Sequence, residues 1–598
     1  MSKISQLQEK LQPQPQDQLL IIDSQSNTPK KIQLNKLFNN PLPISIQQPL
    51  ITSNLKILNN YYEGGILSID TSGNLIYKSY YYRHNDIGVP GEYGFGCGIC
   101  PEFDLPSDII RCSDYNYKIS ENYGNYIHTP SSSVIVWIPK FYYRINHESN
   151  PTHSQYAPND IDIKSIYDFE DTASANAEGY ALHRAFIDGG VEQPGFFIDK
   201  YSCSKVAYGT GYIGASIKNG VPIGFDEAFS CITELTASNS VRQAYIVIDC
   251  AKARDGVDGQ VNPTSNWHCA STFQYSALAL LSLAHGQAST NTLKCAWYDP
   301  VYNYPKGNNN ALTDIDDPTV TFTSDGYLTV NTALTGSGEP FAKTTHNGQE
   351  CGVADLAANI YELSIGFTGI YDSLNYNKSI ISIILSNPTI IEIDSTSGLE
   401  NFNYLFIDGT TIELNQKYYL FEIVNETQLS IDIDSTSFTP YTSGGYIFVN
   451  DYYVAKESTS MKTFTSGNTL ATDHWGSTGN NLLMNRINIP YVTDYEYNNA
   501  LVIEYVGNLN NQVFYTYNLL TDILFPLSFS NVGTNLFGKD RIRILGPSLN
   551  IENDLFYVML CGGDSESINS SGINSRDLNY FNSSSSNNIG FRVSRYIK

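Results

Sequence analysis

Residues 378–450 repeat one pattern that strongly restricts the possible folds. Runs such as "SIISIIL", "TIIEI", "YLFI" and "KYYLFEIV" alternate with Asn-Pro, Ser-Gly, Asp-Gly and Asn-Glu turns. β-branched and aromatic residues favour strands, and these dipeptides favour tight turns. The segment therefore predicts a small β module. Strand-like runs recur along most of the chain, so we predict a mainly β protein with some α-helix (α+β).

The overall composition narrows the classes of function. Of the 598 residues, 41% are hydrophobic and 13% aromatic, which is enough for several packed cores, whereas only 16% are charged. The polar surface must therefore come largely from Asn, Ser, Thr and Tyr, as in many binding surfaces. With 60 acidic and 35 basic residues, the net charge is −25, which argues against nucleic acid as a partner. No apolar run reaches about 18 residues, so membrane insertion is not expected.

The first 60 residues differ from the rest of the chain. "LQPQPQDQ" is polar and broken by proline, and "LLIIDSQSNTPKKIQ" predicts a strand, a turn and a second strand. A two-stranded hairpin cannot bury its own faces, so this segment is expected to dock on another surface. Its start lacks the apolar stretch of a secretory signal. Residues 61–130 are strand-like and predict a β-rich connector.

The clearest helical pattern is "HCASTFQYSALALLSLAHGQ", residues 268–287. Five side chains recur there at helical spacing: Cys269, Phe273, Ser276, Leu280 and Leu283. Gly286 follows where a C-terminal cap is expected. His268 and His285 flank the predicted helix, and their separation favours two ordinary helix-end histidines over a shared ligand.

Three cysteines raise the question of a metal. Cys97, Cys100 and Cys112 form a CxxC pair with a third thiol, and His128 is the nearest candidate for a fourth ligand. A structural zinc site needs about four such ligands. The favoured interpretation is ordinary loop cysteines beside "YGFG", so neither a metal nor another cofactor is predicted.

The stretch "CGVADLAANIYELSIG" resembles the Gly-Asn-Val-Trp-Glu-Trp signature of the formylglycine-generating-enzyme-like proteins, a branch of the C-type-lectin-like fold. Four more features lie in the order of that family: "VWIPKFYYRI", "GFFIDKYSCSKVAYG", the helix after Trp267, and "CGG" followed by "IGFRVSR". The resemblance implies one C-type-lectin-like domain formed by residues 131–377 and 451–598, with the β module of 378–450 inserted.

The resemblance also implies structural roles for nine residues: Asp355, Asn359, Tyr361, Glu362, Gly562, Gly563, Gly590, Phe591 and Arg592. The formylglycine-generating enzymes hold copper with two nearby C-terminal cysteines, whereas Cys561 is the only cysteine after Cys351. Related iron enzymes need a His/His/Glu set on one helix, and that spacing is missing from the sequence. We therefore predict that the protein is not an enzyme.

In the phage and retroelement variable proteins of this family, the stretch before the final strand binds the receptor. "GGDSESINSSGINSRDLNYFNSSSSNNIGFR" has the same layout. The candidate receptor-binding residues are Arg576, Asn579, Tyr580, Asn582 and Asn574, with Trp475 as the next candidate. Tyr and Arg are the expected anchors, since they offer large contact area or several donors. The alternatives are a solvated Ser/Asn loop and, for Trp475, an ordinary buried tryptophan.

Several other passages resemble phage proteins. "DQLLIIDSQSNTPKKIQLNKLF" is similar to the N-terminal anchor of tail fibres, and "YGFGCGICPEFDLPSD" and "SENYGNYIHTPSSSVIVWIPKFYYRI" resemble fibre passages. The module of 378–450 resembles one of phage structural proteins, related to a β domain of ubiquitin-activating enzymes.

Together these resemblances imply a virion fibre of tail or head. It would attach to other virion proteins through residues 1–60, form a homotrimer and bind a host-surface glycan or protein. The alternatives are a formylglycine-generating-like oxidase, a glycan depolymerase, or a purely structural decoration protein.

Overall fold

The computed structural model describes a defined part of the chain, and contacts divide that chain into two compact units, residues 1–85 and 86–598. The described residues are 18–22, 29–33, 67–69, 75–77, 85–145, 154, 161–224, 243–288, 319–323, 333–338, 344–357, 359–370, 378–399, 404–415, 417–448, 451–464, 483–487, 497–498, 541–544, 556–563, 573, 576–581 and 588–597. As the sequence predicts, strands predominate over helices.

The first unit contains two antiparallel hairpins. Strand β1 (Gln18–Ile22) pairs with β2 (Pro29–Gln33), and β3 (Leu67–Ile69) pairs with β4 (Leu75–Tyr77). In sequence, the residues between the paired strands are polar in both cases, "DSQSNT" and "DTSGN".

The second unit begins at residue 86 and contains the other strands and all three described α-helices. Its strands are β5 (Ile109–Arg111), β6 (Asn125–His128), β7 (Ser133–Pro139), β8 (Phe141–Ile145), β9 (Ile161–Ser165), β10 (Ala181–Leu182), β11 (Ile187–Asp188), β12 (Val191–Glu192), β13 (Gly195–Asp199), β14 (Cys203–Tyr208), β15 (Gly211–Ser216), β16 (Trp267–Cys269), β17 (Tyr361–Ile370), β18 (Lys378–Ile384), β19 (Thr389–Ile393), β20 (Tyr404–Asp408), β21 (Lys417–Ile423), β22 (Gln428–Ile431), β23 (Tyr446–Phe448), β24 (Asp451–Ala455), β25 (Met484–Ile487), β26 (Tyr497–Asn498), β27 (Arg541–Ile544), β28 (Phe556–Cys561), β29 (Arg576–Phe581), β30 (Ile589–Gly590) and β31 (Val593–Arg595). The helices are α1 (Thr172–Ala177), α2 (Gln243–Lys252) and α3 (Thr272–Ala288).

A six-stranded sheet has the order β16-β31-β13-β7-β6-β5. Strands β5 and β6 come from the region where the sequence predicted a separate connector, 61–130, so its second half belongs to this sheet. The apolar run of 131–145 divides at Pro139, which ends β7, and Phe141 starts β8 in a three-stranded sheet. Proline lacks a donor for the ladder, which suits it to this transition between sheets.

Helix α3 begins later than the helical pattern predicts. Ser271 Oγ accepts from the Gln274 amide nitrogen at 3.3 Å, and Gln274 Oε1 accepts from the Ser271 nitrogen at 2.9 Å. This reciprocal capping box fixes the helix start. Cys269 therefore belongs to β16, and Gly286 lies inside the helix. Residues 272–284 are buried on every side, so their polar members, such as Ser276, do not mark a solvent face.

A larger sheet has the order β25-β24-β17-β28-β29-β27-β26, with β30 also paired to β17. Between β17 and β24, strands β18 to β23 close a barrel in the order β18-β19-β22-β21-β20-β23. Ile370 at the end of β17 pairs with Asp451 at the start of β24. The barrel, residues 378–448, thus leaves and rejoins the sheet at neighbouring positions.

The barrel has its own apolar core. Its fourteen buried members are Ile380, Ile383, Ile391, Ile393, Leu399, Leu405, Ile407, Ile412, Leu414, Tyr419, Phe421, Leu429, Ile431 and Ile447. Among the helices in the described ranges, none has both the length and the apolar character that a membrane crossing requires.

Candidate functional site

Arg592, just before the closing strand β31, is fully buried and joins four chain segments. Its Nε donates to Glu362 Oε2 at 2.7 Å, and its Nη1 donates to the carbonyls of Asp199 and Lys200 at 3.2 and 2.8 Å. Its Nη2 donates to the Ala354 carbonyl and to Ser202 Oγ. All three guanidinium nitrogens have acceptors, which orients the planar group and the segments around it.

Glu362 lies near the start of β17 and is 1% exposed. Besides the bond from Arg592, its carboxylate accepts from Ser202 Oγ and from Tyr275 Oη at 2.8 Å. Burial alone would lower the pKa of Arg592, but the charge and hydrogen bond of Glu362 outweigh it and raise that pKa. Burial and the charge of Glu362 both raise the pKa of Tyr275. Both oxygens of the Glu362 carboxylate thus accept hydrogen bonds from side chains of other segments, which indicates a structural role.

A second buried ion pair lies beside the first. Arg254 Nη1 and Nη2 donate to Asp199 Oδ1 and Oδ2 at 2.7 and 2.8 Å, a bidentate geometry. Val593 nitrogen donates to the same carboxylate at 2.9 Å. Burial opposes the charge of Arg254, but Asp199 outweighs burial and raises its pKa. We name Asp199, Arg254, Glu362 and Arg592 the anchoring network.

Sequence reasoning missed Arg254 and the role of Asp199. A usable signal was present, because "GFFIDK" places two charges directly after an apolar strand. A buried charge needs a partner, so Asp199 required a cation from elsewhere in the chain. The choice of Arg254 among the basic residues follows only from the fold.

Two other predicted structural residues hydrogen-bond to the backbone. Asp355, at φ +59, accepts from the Gly336 nitrogen at 2.8 Å. Asn359 donates to the Ala333 carbonyl and accepts from the Ala333 nitrogen, both at 3.0 Å. Both side chains are buried, and these bonds satisfy backbone groups that water cannot reach.

The predicted glycines lie where the backbone approaches another segment. Gly562 has φ +86, and an added Cβ would lie 2.7 Å from the Leu356 carbonyl oxygen. A Cβ on Gly590 would lie 2.8 Å from the Ile223 carbonyl oxygen. The remaining predicted members are Gly563 at φ +73, Tyr361, whose nitrogen donates to the Asn588 carbonyl at 2.9 Å, and buried Phe591.

Both ends of the Ser/Asn-rich segment meet at one residue of β17. Glu362 is in register with Cys561 of β28 on one side and with Gly590 of β30 on the other. The segment between them, 562–589, therefore leaves and returns beside the residue that Arg592 holds. This geometry fixes the two ends of a polar segment to the buried core.

One predicted receptor contact requires correction. Arg576 is 1% exposed, and its Nη1 donates to the Ile573 carbonyl at 3.1 Å. Its place at the start of β29, paired with Cys561, turns the side chain into the protein, so it is a structural residue. Asn579 and Tyr580 lie on β29, but their side chains are outside the described part. Asn574, Asn582 and Trp475 lie outside the described residues.

Two of the three cysteines considered as metal ligands, and the histidine, contact different groups. Cys97 lies beside Cys351, whose carbonyl is 3.6 Å from the Cys97 sulfur, and Cys100 Sγ donates to the Pro101 carbonyl. His128 contacts Asp108 and Ser131. Within the described ranges, no group of three or more His, Cys, Asp or Glu side chains is arranged to hold a metal.

The two histidines near α3 also lie in different environments. His268 Nδ1 is 2.9 Å from the Cys269 carbonyl, and burial lowers its pKa to about 4. His285 Nδ1 accepts from the Gly91 nitrogen at 2.9 Å, and its ring stacks on Phe95. The two histidines therefore contact different groups, His268 the Cys269 carbonyl and His285 the Gly91 nitrogen and the Phe95 ring.

The chain matches no protein-family model and no curated protein sequence. Its function must therefore be inferred from the anchored segment and the residues that hold it.

Proposed function

We propose that the protein is a bacteriophage fibre protein of tail or head that binds the host-cell surface. In this proposal residues 562–589, carried by a C-type-lectin-like domain, form the recognition segment. The supporting observation is that both ends of the segment flank Glu362, which Arg592 holds in the core. Binding residues commonly lie on loops held by a rigid scaffold.

The composition of the segment fits recognition of a polar surface. Residues 564–587 include nine Ser and five Asn among 24 residues. Hydroxyls and amides both donate and accept hydrogen bonds, as recognition of sugar hydroxyls or peptide groups requires. Because Ile573, Arg576 and Asp577 are buried, the middle of the segment is tied to the domain. The candidate contacts therefore lie in 564–572, 574–575 and 578–587.

The enzymatic alternatives have less support. An oxidase of the formylglycine-generating type would need a second cysteine near Cys561, and the sequence has none after Cys351 other than Cys561 itself. A depolymerase would need a carboxyl group free to exchange a proton. The buried carboxylates of the anchoring network, Asp199 and Glu362, are instead each paired with an arginine.

The hairpin of β1 and β2 supports a role for residues 1–60 in attachment to other virion proteins. Its two strands pair only with each other among the described residues, and an isolated hairpin gains stability by docking. A homotrimer, the usual state of phage fibres, would supply such a surface. Light scattering of the intact protein tests the trimer, and virion incorporation of a protein without residues 1–60 tests the attachment.

The recognition proposal is tested by replacing residues 582–587 with a Gly/Ser hexapeptide and, separately, by Tyr580→Ala. Labelled full-length protein is titrated onto a panel of bacterial strains. Loss of interface anchors costs about 2 kcal/mol or more, so at least one variant should bind roughly thirtyfold more weakly with unchanged melting.

The matched control replaces the exposed turn 425–427 of the barrel with Gly/Ser. It should bind and melt like the wild type. Wild-type adsorption by both variants would exclude Tyr580 and 582–587 as contacts; the same replacement of 564–572 then tests the rest of the segment, and wild-type adsorption there as well would move the site elsewhere, with the Trp475 segment next. Wild-type protein that binds none of the strains, including the phage's own host, would favour a decoration protein.

A further inference from the structure

Two loops of the second unit are joined by side-chain bonds to backbone groups. Gln349 Oε1 accepts from the Gly94 nitrogen at 2.8 Å, and its Nε2 donates to the Glu92 carbonyl at 3.1 Å. Asn347 Nδ2 donates to the Phe95 carbonyl at 2.8 Å. Residues 86–100 and 344–357 therefore pack along one seam, although they are far apart in sequence.

Two free thiols meet at this seam. Cys97 and Cys351 are 0% and 2% exposed. Asn347 Nδ2 lies 3.7 Å from the Cys97 sulfur and 3.4 Å from the Cys351 sulfur, so one amide contacts both. The Cys97 sulfur also lies 3.6 Å from the Cys351 carbonyl oxygen. The two sulfurs therefore share one amide neighbour in the same buried seam.

The surroundings make the two thiols unequal. Burial raises the pKa of Cys97. The hydrogen bond from Cys97, followed by the Asn347 amide and the charge of Lys200, lowers the pKa of Cys351 despite its burial. Lys200 is fixed nearby, because its Nζ donates to Asn125 Oδ1 at 2.6 Å. The Asn347 amide also lies closer to the Cys351 sulfur, at 3.4 Å, than to the Cys97 sulfur, at 3.7 Å. On this geometry we assign Cys351 as the nucleophilic member and Cys97 as the thiol that reacts second.

His346 is not the base for this pair. Its Nδ1 accepts from the Val353 nitrogen at 3.1 Å, so its Nε2 carries the hydrogen and donates to the Gly96 carbonyl at 3.1 Å. Its Nε2 lies 3.9 Å from the Cys97 sulfur. Burial lowers the pKa of His346 to about 3, so the ring is neutral at physiological pH.

We propose that Cys97 and Cys351 form an oxidisable pair that hydrogen peroxide converts into a disulfide across the seam. The Cys351 thiol loses its proton, and the thiolate attacks one peroxide oxygen, giving a sulfenic acid and a hydroxide that takes up the released proton as water. The Cys97 sulfur then attacks the Cys351 sulfur and displaces the hydroxyl group, which leaves as water with the Cys97 proton. Two thiols are oxidised by two electrons, and one peroxide is reduced to two waters.

The choice of oxidant follows from burial. Both sulfurs are buried, so a small oxidant such as hydrogen peroxide is chosen over a bulky disulfide reagent. The resulting link would join residues 254 positions apart and restrain the unfolded chain, which raises thermal stability. Such a link suits a protein that leaves a reducing cytoplasm for an oxidising exterior.

The experiment treats reduced full-length protein with hydrogen peroxide, blocks remaining thiols under denaturing conditions and maps peptides by mass spectrometry. The expected product is a linked Cys97–Cys351 peptide pair that has lost two hydrogens, with a raised melting temperature. Dithiothreitol should reverse both changes. The matched control Cys100→Ser alters another buried thiol of the same loop and should form the link like wild type.

The order of reaction is tested in two variants. In Cys97→Ser, dimedone should label Cys351, because its sulfenic acid has no thiol partner. In Cys351→Ser, Cys97 should stay unlabelled. Wild-type protein that gains no link, or that carries stable adducts on Cys351 instead, would overturn the proposal. So would equal dimedone labelling of Cys97 in Cys351→Ser, since neither residue would then be the specific nucleophile.

Discussion

The anchoring network and the inserted barrel are held together in opposite ways. The barrel core consists of fourteen apolar or aromatic residues, all within 71 positions of sequence. The network consists of four fully buried charges, and its ion pairs join residues 55 and 230 positions apart. Consecutive strands can find their register through hydrophobic alternation.

Hydrophobic alternation alone does not select the register between segments that are far apart in sequence. An unpaired buried charge costs several kcal/mol, so a buried ion pair tolerates one partner arrangement and penalises the others. Arg592 contacts β17 and the residues after β13 in the arrangement that also fixes both ends of 562–589. We infer that the network sets register where long stretches of chain separate the paired elements.

The largest effect is expected from breaking the network. Arg592→Met leaves the Glu362 carboxylate buried without its cation and removes the donors to three backbone carbonyls. The free energy of unfolding should fall by about 3–5 kcal/mol, as measured by denaturant titration. Hydrogen exchange should accelerate in β13, β17 and β31 together.

The matched control is Arg595→Met, three residues further along the chain. Arg595 donates to Asp108 at 2.8 Å, and both partners are partly exposed. Its loss should cost about 1 kcal/mol or less. Equal losses in the two variants would contradict the view that burial of the charge gives the network its importance.

The same contrast explains what sequence could predict. The β module, the hairpin of β1 and β2 and helix α3 are local in sequence, so periodicity and turn residues locate them, although α3 starts three residues after Cys269. Arg254 and the Cys97–Cys351 contact depend on segments far apart in sequence. Periodicity carries no information about such pairs.

The prediction that Arg576 contacts a receptor was wrong for a different reason. Arginine in a Ser/Asn-rich stretch has the composition of a binding surface, but composition does not reveal which side chain a strand turns inward. The pairing of Arg576 with Cys561 on β28 buries it. Only the sheet register, set by the network, contains that information.

The barrel should respond to apolar truncation as a local unit. Leu405 is fully buried in its core, and Leu405→Ala removes apolar contacts and leaves a cavity, at a cost of about 2–5 kcal/mol. We expect faster hydrogen exchange in β18 to β23 and little change in β7 and β13. The control Leu420→Ala, at a position 49% exposed, should cost less than about 0.5 kcal/mol. Equal acceleration in β7 would show that the barrel does not unfold separately.

Acid should destabilise the scaffold outside the barrel, which contains buried histidines, more than the barrel itself. His346 is neutral in the folded protein because burial lowers its pKa to about 3, whereas the unfolded chain binds a proton below its ordinary value near 6.5. The stability that neutral His346 contributes is therefore fully present above about pH 6.5, and this contribution falls by about 1.4 kcal/mol per pH unit as pH decreases toward 3. Residues 378–448 contain no histidine, so the protection of the barrel amides, relative to their intrinsic exchange rates, should change little between pH 6.5 and 5.

The variant His346→Gln tests the origin of that slope. Glutamine keeps hydrogen-bonding capacity but does not titrate, so the variant should lose stability at pH 7 and show a shallower decline toward pH 5. Denaturant midpoints at several pH values measure both changes. A slope equal to that of the wild type would assign the acid sensitivity to other groups, such as His183, whose pKa burial lowers to about 3.

The smallest effect on the anchoring network should come from removing the barrel altogether. Ile370 and Asp451 are paired neighbours on β17 and β24, so a short Asn-Gly type turn can replace residues 371–450 and join the strands as a hairpin. The scaffold should keep its cooperative thermal transition, because the network residues all lie outside the excised segment. Loss of that transition would mean that the barrel contributes to the register of β17. A retained transition, combined with unchanged exchange in β13 and β31, would instead separate the molecule into a charge-anchored scaffold and an apolar insert that fold by different rules.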